Sequence, residues 1–108
     1  MGRIQGLFEA GPFNGDSIVK TTEGYVFSLT VSWKGLTVGD IVCQLCNSVD
    51  AAGSSDPAKQ LVTVYAATAN GTWSREWSQG KHFSTGIFYK EGAAGGASGA
   101  ILAELTAK

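Results

Sequence analysis

The chain has 108 residues, a formal net charge of −1 and a pI of about 5.7. This length fits one domain with its own core, and 44% hydrophobic with only 16% charged residues argues against a disordered chain. The eight cations are scattered singly, so charge gives no basis for binding nucleic acid or an acidic membrane, and no apolar run approaches the roughly 20 residues that span a bilayer.

Residues 1–16 predict an N-terminal arm ahead of the folded domain. The segment carries one cation and is broken by glycine and proline, so it does not resemble a secretory signal and we expect a protein that is not secreted. Such an arm lies along its own domain or docks onto a partner. If it docks, deleting residues 1–13 removes partner binding and leaves the fold intact. Its large apolar residues follow no period and are the candidate docking residues: Ile4, Leu7, Phe8 and Phe13.

Residues 17–108 predict one all-β domain. Short alternating runs recur about every 10 to 20 residues with turn residues between them, and no window has helical periodicity. The predicted strands cover residues 17–22, 25–33, 41–48, 60–66, 72–78, 84–89 and 100–105. Six to eight short strands without a helical crossover predict an antiparallel, jelly-roll-like β-sandwich.

The strand over residues 25–33 has the clearest pattern in the chain. At strict period two, its large apolar residues share one face, which we expect to be the core face: Tyr25, Phe27, Leu29, Val31 and Trp33.

Cys43 and Cys46 form a C-x-x-C pair, which is compatible with a redox pair or half of a zinc site. Zinc needs two further ligands, and His82 is the chain's one histidine. In a strand, positions i and i+3 point to opposite faces, which prevents a disulfide. We therefore expect two unpaired, half-buried structural thiols, and neither a metal site nor a cofactor.

The loop over residues 49–58 is made of small and polar residues and ends near a proline. These features predict the most exposed segment of the domain. Asp50 and Asp56 are its candidate contacts with a partner or a neighbouring subunit.

Two tryptophans flank an arginine in the strand over residues 72–78. Trp73, Arg75 and Trp77 share one face at period two. If that face is buried, the indoles are core or protein-interface residues and the arginine lies at an edge. If it is exposed, the three side chains form a platform that stacks on sugars or bases.

The sequence gives little support for a catalytic site. His82 has Glu76 or Asp40 as candidate orienting acids, but neither nearby serine (Ser78, Ser84) lies in a G-x-S-x-G elbow. The glycine-rich residues 91–99 lead into a predicted strand without a lysine, unlike a phosphate-binding loop. We expect a protein that is not an enzyme.

Three short motifs carry a resemblance that spans about four fifths of the chain. They are Thr21-Thr22-Glu23-Gly24, Gly39-Asp40 and the segment from Gly80 to Phe88, GKHFSTGIF. Their order resembles that of the small β-sandwich virion proteins of tailed bacteriophages.

The resemblance implies a virion structural protein, assembled in the host cytoplasm, with the major capsid protein or other virion proteins as partners. Within the virion we expect a capsid decoration (cement) protein that forms a homo-oligomer, with a trimer as the candidate because such proteins often sit on symmetry axes. The alternatives are a neck, tail or fibre component and, more remotely, a carbohydrate-binding module.

Overall fold

The computed structural model of the chain describes residues 6–13, 15–92 and 101–108. Two short 3-10 turns, Gly53–Ser55 and Pro57–Lys59, lie between the fourth and fifth strands. Within the described residues there is no helix of the length and apolarity that a membrane crossing needs. The strands are β1 (Phe8–Ala10), β2 (Ser17–Lys20), β3 (Gly24–Trp33), β4 (Ile41–Cys46), β5 (Gln60–Tyr65), β6 (Gly71–Phe83), β7 (Ile87–Glu91) and β8 (Ile101–Ala107).

The strands form two four-stranded sheets in which every neighbouring pair is antiparallel. Sheet I has the order β1-β8-β3-β6, and sheet II has the order β2-β7-β4-β5. Successive strands alternate between the two sheets except at the β4–β5 hairpin, which is the connectivity of a jelly roll. The prediction of an antiparallel, jelly-roll-like sandwich is confirmed, with eight strands.

The core lies between the inner faces of the sheets. Leu29 and Val31 of β3 and Leu105 of β8 meet Leu45 of β4 and Tyr89 of β7, and all five are at most 2% exposed. Each large apolar side chain buried in this way stabilises the fold by about 1.5–3 kcal/mol. This shared core holds the two sheets at a fixed spacing, so the surface residues are carried on a rigid frame.

The period-two reading of β3 is wrong at its start. The pairing of β3 with both neighbours shifts between Val26 and Ser28, so Phe27 is an extra, bulged residue. A bulge moves the residues before it to the opposite face. Val26 is therefore fully buried, whereas Tyr25 is 37% exposed and Phe27 is only half-buried.

The predicted end of a strand at residue 78 is also wrong, because β6 continues to Phe83 as one strand of 13 residues. In its pairing with β3, β6 moves five residues, from Glu76 to Lys81, where β3 moves only two. Residues 77–80 are therefore unpaired with β3 and form an excursion within the strand. Gly80 has a φ of +83° and approaches β3 closely, since a Cβ there would lie 3.0 Å from the Phe27 ring. Glycine is the residue that tolerates both conditions.

The N-terminal segment is built into the sandwich from residue 8 onward. β1 pairs with β8 at the edge of sheet I, from Phe8 opposite Ala107 to Ala10 opposite Leu105. Phe13 is only 9% exposed and stacks on Tyr89, with ring centroids 4.4 Å apart. Of the two alternatives for this segment, residues 8–13 lie along their own domain. Deleting residues 1–13 is therefore expected to destabilise the fold, and not to leave it intact.

Candidate functional site

The four candidate docking residues of the N-terminal segment have different surroundings. Ile4 lies outside the described residues. Leu7 and Phe8 are half-buried, and Phe8 packs against the core. Phe13 is part of the core and is not available to a partner while the sandwich is intact. Among the described residues of this set, Leu7 and Phe8 are the two that remain partly exposed to a partner.

Trp73, Arg75 and Trp77 lie on β6, an edge strand of sheet I. Trp73 pairs with Val31 and Arg75 with Leu29, two fully buried residues, so this register places the face that carries them toward the core. Both indoles are half-buried against the core, whereas Arg75 is exposed at the edge, with its guanidinium 5.3 Å from the centroid of the Trp77 ring. The buried alternative applies: the indoles support the core at its edge, and neither lies free as a stacking platform.

The loop after β4 is more ordered than its composition predicts. Ser48 and Ser54 are buried, and the Ser54 hydroxyl donates to the Ala51 carbonyl at 2.7 Å. The Asp50 carboxylate accepts a hydrogen bond from the Gly53 amide at 2.8 Å, and the Asp56 carboxylate accepts one from the Ala58 amide at 3.0 Å. Both acids are exposed, and both shape the loop through these local hydrogen bonds.

His82 does not meet the acids considered for it. Its Nε2 atom lies 2.5 Å from the Glu23 carboxylate, and its ring stacks on Tyr25 with centroids 4.9 Å apart. The Asp40 carboxylate instead accepts from the Thr37 amide at 2.9 Å and closes the turn before β4. Both His82 and Glu23 are about half exposed, so we assign this pair a role in holding the β2–β3 turn against β6.

The turn between β6 and β7 is organised by one amide side chain. The Oδ1 atom of Asn47 accepts from the Thr85 amide at 2.7 Å and from the Gly86 amide at 3.4 Å, while its Nδ2 donates to Ser84 at 2.9 Å. Ser84, a candidate nucleophile in the sequence, is therefore engaged in a structural hydrogen bond with Asn47.

The two cysteines are unpaired, as the sequence predicts, but both are fully rather than half buried. Cys43 faces the core, where burial raises its pKa to about 12, and it shares a hydrogen bond with Tyr89. Burial also raises the pKa of Tyr89 above its usual range, and its hydroxyl donates to Glu91 at 3.4 Å. Cys46 lies beneath the 3-10 turns with its thiol directed at the Ser54 carbonyl. Thiols held in the protonated form are poor nucleophiles and poor metal ligands.

Sequence reasoning missed an exposed apolar corner formed by Val38, Ile41 and Tyr65, which are 66%, 37% and 59% exposed. Ile41 and Tyr65 are paired across β4 and β5, and the Gly39 amide, next to Val38, donates to the Ala66 carbonyl at 2.8 Å. Three of the six exposed large apolar residues among those described therefore lie together. The available signal was Val38 itself, an apolar residue in a glycine-flanked loop.

The outer face of sheet I is polar and carries a shallow groove of about 270 Å³. At its base the hydroxyls of Ser28 and Thr106 are 2.7 Å apart, and the carboxylates of Glu9 and Glu104 border it. These hydroxyls bond each other, so the groove presents no orphaned buried polar atom toward a ligand.

Among the described residues, no three histidine, cysteine or acidic side chains are placed to share a metal ion. Comparison of the chain with known protein families, curated proteins and solved structures found no match in any of the three. The fold, the surfaces and the sequence motifs are therefore what indicates a function for this chain.

Proposed function

We propose that this chain is a structural protein of a tailed-bacteriophage virion, and within the virion a capsid decoration protein that binds and stabilises the major capsid shell. The observation that carries the proposal is the strand order β1-β8-β3-β6 facing β2-β7-β4-β5. This jelly-roll order is used widely by viral capsid and lectin domains. Fold alone does not assign function, so the proposal also depends on the motifs that resemble the phage proteins.

Two of those motifs meet at one end of the sandwich. Gly24 pairs with Phe83, and Glu23 bonds His82, so the turn before β3 and the end of β6 form one unit. Gly24 is tightly enclosed, because a Cβ there would lie 2.8 Å from the Lys108 carbonyl oxygen. The residues that carry the resemblance therefore build turns and close contacts, which suits a structural role.

Stabilisation of a shell by such a protein follows from mass action. A protein that binds the expanded shell and not its precursor or its fragments lowers the free energy of the expanded shell alone. At a free concentration of about 100 times the dissociation constant, each occupied site contributes about 2.7 kcal/mol. The candidate contact surfaces are the exposed 50–56 loop and the half-buried residues Leu7 and Phe8.

The test compares phage particles assembled with and without this chain. We expect the purified particles to contain the chain by mass spectrometry. We expect particles that lack it to miss density on the outer capsid surface in electron micrographs, and to lose their DNA at a lower temperature.

Each other outcome has a defined meaning. Density missing from the neck, tail or a fibre would move the protein to the alternative positions in the virion. Absence of the chain from purified particles would refute the virion assignment altogether. Complete particles with unchanged heads and unchanged thermal stability would refute the decoration role.

A further inference from the structure

A sandwich of two open sheets has four edge strands, and here they are β1 and β6 in sheet I and β2 and β5 in sheet II. An edge strand presents unpaired backbone N–H and C=O groups that pair readily with another chain. Proteins therefore usually protect their edges with charges, bulges or short strands.

Three of the four described edges carry such protection. β1 has three residues and contains Glu9, and β2 has four residues with an irregular pairing before Lys20. β6 is long, but it carries the exposed charged residues Arg75 and Glu76, and residues 77–80 leave the regular strand. Charged side chains and an excursion of this kind both hinder regular pairing with another strand.

β5 differs from the other described edges, because its sequence QLVTVY contains no charged residue, proline or glycine. Val62, Val64 and Tyr65 are residue types that favour extended strands. Leu61 is an extra residue in the pairing with β4, and Val42 is an extra residue of β4 between the pairs at Val64 and Tyr65, so residues 62–64 are the part of β5 in regular register. No described residue outside β4 hydrogen-bonds to the backbone of residues 61–65.

The apolar corner lies at the same edge. Tyr65 ends β5, and Ile41 is its partner on β4. The backbone edge of β5 is therefore continuous with this exposed apolar corner. An edge that offers both backbone hydrogen bonds and apolar area is suited to strand addition.

We propose that β5 is a self-association edge, on which β5 of a second copy pairs antiparallel across a two-fold axis and joins two copies of sheet II into one eight-stranded sheet. A two-fold contact brings a strand against itself, so any charge near the axis would face a like charge. β5 is the edge strand that meets this condition, because it has no charge. The inference concerns the isolated protein and stands whether or not the virion assignment is correct.

The geometry also sets the strength of the contact. Overlap of the two six-residue strands pairs Gln60 with Tyr65 of the second copy and places that Tyr65 next to Lys59. One strand pair with a small apolar corner buries less than the roughly 1,600 Å² of a standard interface. We therefore expect a dissociation constant on the order of 10–100 µM.

The test is sedimentation equilibrium of the full chain from about 1 µM to about 500 µM, a range that brackets the expected constant. We expect a monomer–dimer equilibrium. Tyr65→Lys places a cation next to Lys59 of the second copy and should raise the dissociation constant at least about 10-fold. Tyr65→Glu should weaken the dimer less than Tyr65→Lys does, because it faces the same lysine with the opposite charge.

Ile18→Lys is the matched control. Ile18 is 57% exposed against 59% for Tyr65 and lies on β2, the opposite edge of the same sheet. This variant should dimerise like the wild type, and thermal unfolding of dilute samples should show that every variant folds. Hydrogen exchange at high and low concentration should show concentration-dependent protection of amides in residues 61–65.

Four results would overturn the proposal. They are a monomer throughout the concentration range, a trimer, a dimer whose dissociation constant is unchanged by Tyr65→Lys, and concentration-dependent protection from hydrogen exchange in β6 and not in β5.

Discussion

The position of Phe13 leads to a specific prediction about the N-terminal segment. Phe13 is 9% exposed, stacks on Tyr89 at 4.4 Å, and its amide donates to the Ala103 carbonyl at 3.1 Å. If residues 8–13 are part of the sandwich, Phe13→Ala removes a ring from the core and leaves a cavity beside Tyr89. If the segment is a loosely attached arm, the same substitution has almost no effect on the free energy of unfolding.

The expected loss is large enough to separate the two cases. Truncating a buried phenylalanine to alanine costs about 3–5 kcal/mol, from lost burial and from the cavity that remains. We take the lower value, about 3 kcal/mol, because the segment can partly close over the gap. For a domain of this size, about 4 °C per kcal/mol gives a fall in Tm of about 12 °C.

The assay is urea unfolding followed by tryptophan fluorescence, since Trp33 is 6% exposed and reports on the core. Leu102→Ala is the control, because Leu102 is 51% exposed on the outer face of β8 and should change the free energy of unfolding by less than about 1 kcal/mol. An effect of Phe13→Ala as small as that of the control would refute the integrated segment. A chain lacking residues 1–13 should be less stable than Phe13→Ala, because it also loses β1.

Three further predictions follow from buried or half-buried groups. Cys43 stays protonated in the folded protein up to about pH 12, whereas in the unfolded chain its thiol ionises near its ordinary pKa of 9.0. The free energy of unfolding should therefore fall as the pH rises above about 9, by up to about 1.4 kcal/mol per pH unit. Cys43→Ala should flatten that slope in urea titrations at about pH 8 and pH 10; an unchanged slope would assign it to other groups. Asn47→Ala should lower the free energy of unfolding by about 1–3 kcal/mol, because the amides of the β6–β7 turn lose their acceptor. Asn47→Asp keeps an acceptor oxygen and should lower it less, and equal losses for the two variants would contradict this role of Asn47. Because Trp73 and Trp77 pack against the core, millimolar polysaccharide should leave the tryptophan fluorescence unchanged, and a saturable shift would revive the carbohydrate alternative.

The sequence was sufficient for the fold class because the alternation of apolar residues is local information. β5 and β8 keep strict period two over most of their length, and the turn residues between strands mark where the chain reverses. The absence of helical periodicity then leaves few architectures for a single domain. The free cysteines were predictable for the same reason, since the faces of neighbouring positions in a strand follow from their spacing.

The errors in the strands and in the N-terminal segment come from pairing between distant parts of the chain. The bulge at Phe27 shows up only when β3 is placed beside β8 and β6, whose residues lie about 50 to 80 positions later. Phe13 follows no period because it occupies a gap beside Tyr89, a residue of the other sheet. A pattern read along one strand contains no information about either contact.

The proposed self-association edge lies away from the residues that stand out in the sequence. Trp73, Arg75 and Trp77 attract attention as residue types that are frequent in binding sites. On an edge strand, however, an exposed arginine beside two half-buried indoles protects that edge from pairing. β5 has no rare residue, and its lack of charge becomes informative only once the sheet order places it at an edge. The edge proposed for association, β5, is therefore made of residue types that do not suggest a binding site in the sequence.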